Sequence, residues 1–176
     1  MFKEVLAEVG DILLYKPKRS DLFGNILAWA QAGGSYSHAA VYIGDGRIVE
    51  SHMNTGVVEK DLNEKWYKDI DVYRYKGHIP TPEMDRIIKW FTDHVGAGYD
   101  LPAFPSAFIS SVVGKLLGWA GLRKHRPVFN NPAAFFCSEL VAAGYDSEKR
   151  DLCPQVHYMS CTPSDLGRSK TISRIS

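Results

Sequence analysis

A cysteine, a histidine and a side chain that orients the histidine are together enough for nucleophilic acyl chemistry. Cys137 lies in NNPAAFFCSELVAAGYD, with Cys137, Leu140, Val141, Gly144 and Tyr145 at helical spacing on one apolar stripe. By residue type alone, a cysteine there is a small hydrophobe of the core. Pro132 supports another reading, because proline is tolerated only before a helix or in its first turn. The helix is therefore expected to begin between Asn131 and Phe136, with Cys137 near its amino end. Unpaired N–H groups and the positive end of the helix dipole favour a thiolate at that position.

Six histidines are available as a base, and His38 differs from the rest by opening a strand in SYSHAAVYIG. The segments HAAVYI and RIVESH flank Gly44-Asp45-Gly46, which reads as a β-hairpin. Its register decides what His38 meets, because a one-residue slip moves every side chain to the other face. A three-residue loop, with Gly46 in the left-handed region and a bulge, sets His38 opposite His52 with Glu50 diagonally adjacent on the same face. A two-residue turn at Asp45-Gly46 would put Glu50 on the far face. Either Glu50 or His52 would hold the imidazole of His38 in one tautomer, and a glutamate would also favour the imidazolium.

The elements around these residues read as strands followed by helices. GDILLY (Gly10 to Tyr15) is a short buried strand and DVYRY (Asp71 to Tyr75) an alternating one. Ser20 caps a helix that turns Leu22, Ile26, Leu27, Trp29 and Ala30 inward. Thr81 caps a second, with Pro82 at its first position and Ile87, Ile88, Phe91 and Val95 inside, and Gly96 closes it. Ser164 caps a last turn. Ala103 to Leu122 is apolar almost all round, but Pro105, Lys115 and three glycines interrupt it. It reads as a buried helix or an apolar lid rather than a membrane span. The pattern gives an α+β domain with a mostly antiparallel sheet.

Bulk properties fit one globular domain over residues 1–176: 45% hydrophobic, 23% charged and a net charge of +1. That balance gives no steering toward nucleic acid, and none is expected as a partner. Three cysteines form no disulfide framework, although Cys153 and Cys161 would be able to pair in an exported protein. The start MFKEVLAEVGDILLYK lacks the layout of a signal peptide, so a cytoplasmic location is expected unless a leader has been trimmed. Cys153, His157 and Cys161 are zinc-like in type, but they fit no common ligand spacing and lack a fourth partner. No metal and no cofactor are expected. His78, His94 and His125 read as surface or cap residues.

GDILLY, SYSHAAVYIGDGRIVES and FFCSELV, with GAGYD (Gly96 to Asp100) and CTPSDL (Cys161 to Leu166), resemble the NlpC/P60 superfamily of papain-like cysteine hydrolases. The order, His38 before Cys137, is similar to its circularly permuted branch, the YaeF/YiiX-like amidases related to lecithin:retinol acyltransferase-like proteins. The resemblance implies a permuted papain-like fold, with Cys137 as nucleophile and His38 as base. Glu50 matches the third polar residue, His52 is a second candidate for that place, and Tyr36 is a loose match to a residue assisting at the oxyanion. The implied function is hydrolysis of an amide bond in a cell-wall-like or other small peptide-like substrate through a thioester. The alternatives are a lipid-directed acyl transfer or ester hydrolysis, with peripheral membrane contact through Ala103 to Leu122, and an idle binding module.

Overall fold

The computed structural model describes residues 7–17, 35–62, 70–99 and 134–175. Among these residues six strands form one sheet: β1 (Ile12–Tyr15), β2 (His38–Gly44), β3 (Arg47–His52), β4 (Gly56–Asp61), β5 (Ile70–Tyr75) and β6 (Ile172–Arg174). Their spatial order is β4-β3-β2-β1-β5-β6, and every neighbouring pair is antiparallel. Among the described residues three α-helices accompany them, α1 (Thr81–Asp93), α2 (Cys137–Asp146) and α3 (Pro163–Arg168). The expected α+β architecture is present, with β4 and β6 as strands that the sequence pattern did not mark. The proposed helix after Ser20 and the apolar stretch Ala103 to Leu122 lie outside the described residues. Among those described, no helix is long and apolar enough to cross a membrane.

The central strand β1 explains why GDILLY is a continuous apolar run. It sits between β2 and β5, and all four of its residues are buried. Ile12 and Leu14 join Ala39, Val41 and Val49 under Leu140, Val141, Ile87 and Phe91 of the helices. Leu13 and Tyr15 face the other way and cluster with Ala40, Ile48 and Val72. Both faces of the sheet are therefore apolar at its centre.

The hairpin between β2 and β3 combines the two loops considered from sequence. Gly44 pairs with Arg47, and both Asp45 (φ +52°) and Gly46 (φ +71°) lie in the left-handed region, as a tight two-residue turn requires. A register shift between Tyr42 and Gly44 then restores the pairing Tyr42–Ile48, Val41–Val49 and Ala40–Glu50. The bulge falls on the β2 side of the turn rather than after it. The register beyond it is the one that the three-residue loop gives, so Glu50 lies on the face of His38.

Several boundaries differ from expectation by one or two residues. α1 begins at Thr81 with Pro80 as its cap, because the Pro80 carbonyl accepts the N–H groups of Glu83 (2.9 Å) and Met84 (3.0 Å). It ends at Asp93, so Val95 falls beyond the helix and is 43% exposed, while Ile87 and Phe91 are buried as read. α3 is capped by Thr162, whose hydroxyl accepts the Asp165 N–H while the Asp165 carboxylate accepts the Thr162 N–H. Ser164 lies inside that helix, and its hydroxyl donates to the Tyr36 carbonyl.

α1 and α2 meet at a glycine. A Cβ on Gly144 would stand 2.2 Å from Cζ of Phe91, whose ring is fully buried. Overpacking of this kind costs roughly 1–3 kcal/mol. We expect Gly144→Ala to lower the unfolding free energy by about that amount, measured by urea titration. Phe91→Leu in the same background should recover part of the loss.

Candidate active site

The approach to α2 fixes where the Cys137 sulfur stands. Phe136 is the extended residue before the helix (φ −87°, ψ 166°), and Cys137 is the first helical residue, one position later than the latest start read from the sequence. Phe135 is pinned on both sides of its peptide. Its N–H donates to the Gly98 carbonyl at 3.0 Å, and its own carbonyl accepts the Ser51 hydroxyl at 2.5 Å. Gly98 belongs to a strap that follows α1, held to β4 by Gly96 N–H to Val57 O (2.9 Å) and Val57 N–H to Ala97 O (2.8 Å). Gly56 makes this approach possible: its φ is +70°, and a Cβ there would stand 2.2 Å from the Ala97 oxygen.

The first turn of α2 is held from two further sides. The Ser138 hydroxyl donates to the Cys161 carbonyl at 2.7 Å, and the buried Glu139 carboxylate accepts the Phe136 N–H at 3.3 Å. The Cys137 N–H, at the first helical position, has no acceptor within the helix. The thiol itself is nearly buried and sits against His38, with the backbone N–H groups of Ala39 and Ser138 directed at the sulfur. Burial opposes a thiolate, but the His38 imidazolium and these two N–H groups outweigh it and hold the thiol below its usual range.

His38 opens β2, at the end of the sheet where α2 begins, with about a quarter of its side chain accessible. Its Nε2 lies 2.7 Å from Oε2 of Glu50. That leaves Nδ1 as the nitrogen to share a proton with Cys137. Burial works against the charged ring, yet Cys137 first and Glu50 second push its pKa up to about 10. Glu50 is buried as well, which disfavours its charge. His38 and then Lys60 reverse this and hold the carboxyl down at about 2. The structure thus joins Cys137, His38 and Glu50 in one chain of contacts.

The other sequence candidates stand apart from that chain. The His52 ring is exposed, with its centroid 6.4 Å from that of His38 and edge-on to it, too far to share a hydrogen bond. Burial, Lys60 and His38 lower its pKa, so the ring is neutral near pH 7. The Tyr36 hydroxyl is committed to Oδ2 of Asp71 at 2.5 Å and lies 3.0 Å from the Tyr73 hydroxyl. Burial and the Asp71 carboxylate raise its pKa far above the ordinary phenol value. Cys153 and Cys161 are buried, with the Cys161 thiol donating to the Cys153 sulfur at 2.8 Å, while Nδ1 of His157 accepts the Met159 N–H. Sequence reading missed Lys60, Ser51, Ser138 and Gly98. For Lys60 a signal existed, since Thr55-Gly56 followed by VVEK is a turn and a strand.

Two outcomes are expected. At pH 6.5, iodoacetamide should label Cys137 ahead of the buried Cys153 and Cys161, and His38→Ala should slow that labelling about tenfold or more, read by mass spectrometry. Glu50 has a folded pKa below its unfolded value of 4.5, so its stabilisation is present above that value and lost as pH falls through about 2. Glu50→Gln should therefore be less stable than wild type at pH 7, with the gap closing as the pH is lowered from 4.5 to 2.

A comparison with curated proteins found no match. The family model described as permuted papain-like amidase enzyme, YaeF/YiiX, C92 family, matches residues 7–112, more than half of the chain. The matched span includes His38 and Glu50 and ends before Cys137. A histidine strand that precedes the cysteine helix, on a six-stranded antiparallel sheet, is the permuted order. The chain belongs to this family of permuted papain-like cysteine amidases.

Proposed function

We propose that the protein hydrolyses an amide bond of a small peptide-like substrate, with Cys137 as nucleophile, His38 as acid and base, and Glu50 as the group that orients His38. The observation that carries this reading is the continuous contact Cys137–His38–Glu50, in which each partner favours the charged form of the next. The Cys137 thiolate attacks the carbonyl carbon and forms a C–S bond. The oxyanion that develops accepts the backbone N–H of Cys137. His38 then delivers its proton to the departing nitrogen as the C–N bond breaks, leaving a thioester. Water adds to the thioester, His38 takes the water's proton, and breaking of the C–S bond releases the acid and restores the thiolate.

Glu50 has two roles in this sequence. Its hydrogen bond to Nε2 keeps Nδ1 facing the sulfur, and its charge supports the imidazolium that must wait for the leaving group. The lipid-directed alternative drew on Ala103 to Leu122, which lie outside the described residues. Amide hydrolysis is the reading that the family supports.

The test is turnover of a panel of short N-acyl peptides and cell-wall-type peptides, with lipid esters as the contrast. Amine release is expected, together with a covalent acyl adduct on Cys137 in intact-mass spectra. Cys137→Ala should abolish both, and His38→Ala should lower kcat/KM by about 10²–10⁴-fold. Turnover of lipid esters alone, or activity that survives Cys137→Ala, would overturn the proposal.

A further inference from the structure

Glu50 has a second oxygen, and its partner comes from the neighbouring strand. Lys60 on β4 places Nζ 2.7 Å from Oε1 of Glu50, while Oε2 holds His38 at 2.7 Å. The registers Ala40–Glu50 and Ile48–Lys60 put His38, Glu50 and Lys60 on one face, stepping diagonally across β2, β3 and β4. We propose that Lys60 is a positioning residue, which fixes the Glu50 carboxylate so that Oε2 stays on Nε2 of His38 and Nδ1 stays on Cys137. This inference rests on the acyl-transfer roles proposed above for Cys137, His38 and Glu50.

The physical grounds are burial and valence. The Glu50 side chain is only 9% exposed, and a buried carboxylate must have both oxygens partnered. Without Lys60, Oε1 would have to find another donor or water, and rotation about the last side-chain bond would carry Oε2 away from His38. A surface ion pair is ordinarily worth little, and Lys60 is itself 46% exposed. Here its partner is not a surface group, so its effect is directional rather than a large gain in stability.

Among the described residues, the charged and titratable groups that act on Glu50 or are acted on by it are His38 from β2, His52 from β3 and Lys60 from β4, and Cys137 of α2 lies beyond His38. A through-space effect of the Lys60 charge on Cys137 would point the same way as a positioning effect, so the experiment has to separate them. A double-mutant cycle does so without any substrate, by following the pH profile of Cys137 alkylation in Lys60→Met, Lys60→Arg, Glu50→Gln and Lys60→Met/Glu50→Gln. Lys60→Gln serves as a second neutral variant, and thermal unfolding confirms that each protein is folded.

Positioning predicts that Lys60→Met raises the apparent pKa of Cys137 by about half a unit to one unit, a three- to tenfold loss of thiolate below it. Lys60→Arg should restore the wild-type profile, and in the Glu50→Gln background Lys60→Met should add nothing. An unchanged profile in Lys60→Met, with Glu50→Gln still shifted, would overturn the role of Lys60 and leave the roles of the other three intact. Equal shifts in both backgrounds would make Lys60 a distant charge and likewise overturn the proposal. If neither Glu50→Gln nor His38→Ala moves the profile, the parent reading fails and Lys60 fails with it.

Discussion

The candidate site depends on the register of one hairpin. β2 and β3 carry His38 and Glu50, and their side chains share a face only because one extra residue is absorbed between Tyr42 and Gly44. The tight turn at Asp45-Gly46, continued without a bulge, would have turned Glu50 away from the imidazole. The bulge lies five or six residues from His38, and it decides whether the histidine has a carboxylate or an apolar neighbour. The same register sets Val49 under the helices and Ile48 on the opposite face, so the core enforces it. A slip that broke the His38–Glu50 contact would also expose buried valine and isoleucine. Packing energy thereby protects a polar contact that would not be strong enough to choose its own register.

Charge alone would not hold these groups in place. Burial is the largest single influence on His38, Glu50 and Cys137, and in each case it favours the neutral form. Each is kept charged by the next, so removing any member leaves an unpaired charge in a poorly solvated place. The arrangement thus needs a rigid frame, and the frame is visible around α2. Phe135 is held by Ser51 and Gly98, Ser138 by the Cys161 carbonyl, and the helix is set against α1 through Gly144 and Phe91. These contacts come from β3, from α1 with the strap after it, and from the carboxyl-terminal segment. They fix the direction of one sulfur from three parts of the chain far apart in sequence.

Local patterns made part of this legible. Alternation in HAAVYI and RIVESH gave the strands and Gly-Asp-Gly the turn, but two loops stayed open, and only the register shift between Tyr42 and Gly44 puts Glu50 on the face of His38. The apolar stripe on VAAGYD and the proline before it put Cys137 near a helix start. What stayed hidden depends on contacts between distant segments. Extended geometry at Phe136 delays α2 by a residue, and Phe135 before it is held by Gly98 and Ser51, neither of them near in sequence. β4 and β6 were missed because edge strands with exposed polar residues lack the apolar signal of a core strand. Tyr36 was a loose motif match to a residue assisting at the oxyanion, and a motif match says nothing of the Asp71 carboxylate that binds its hydroxyl.

The order of the chain also explains why the motifs lie so far apart. In this permuted arrangement the histidine strand forms from a local hairpin, whereas the cysteine helix arrives about a hundred residues later and must dock against it. A hairpin closes with little loss of chain entropy, while docking α2 requires a long loop to be closed. The imidazole–carboxylate pair can therefore exist before the sulfur reaches it. Only when α2 docks does His38 gain the thiolate that gives the larger part of its pKa rise. Until then the sulfur lacks both the imidazolium and the Ala39 N–H, two of the groups that depress its pKa. Activation of the sulfur is in this sense a product of tertiary packing, which is why residue type alone made Cys137 look like part of the core.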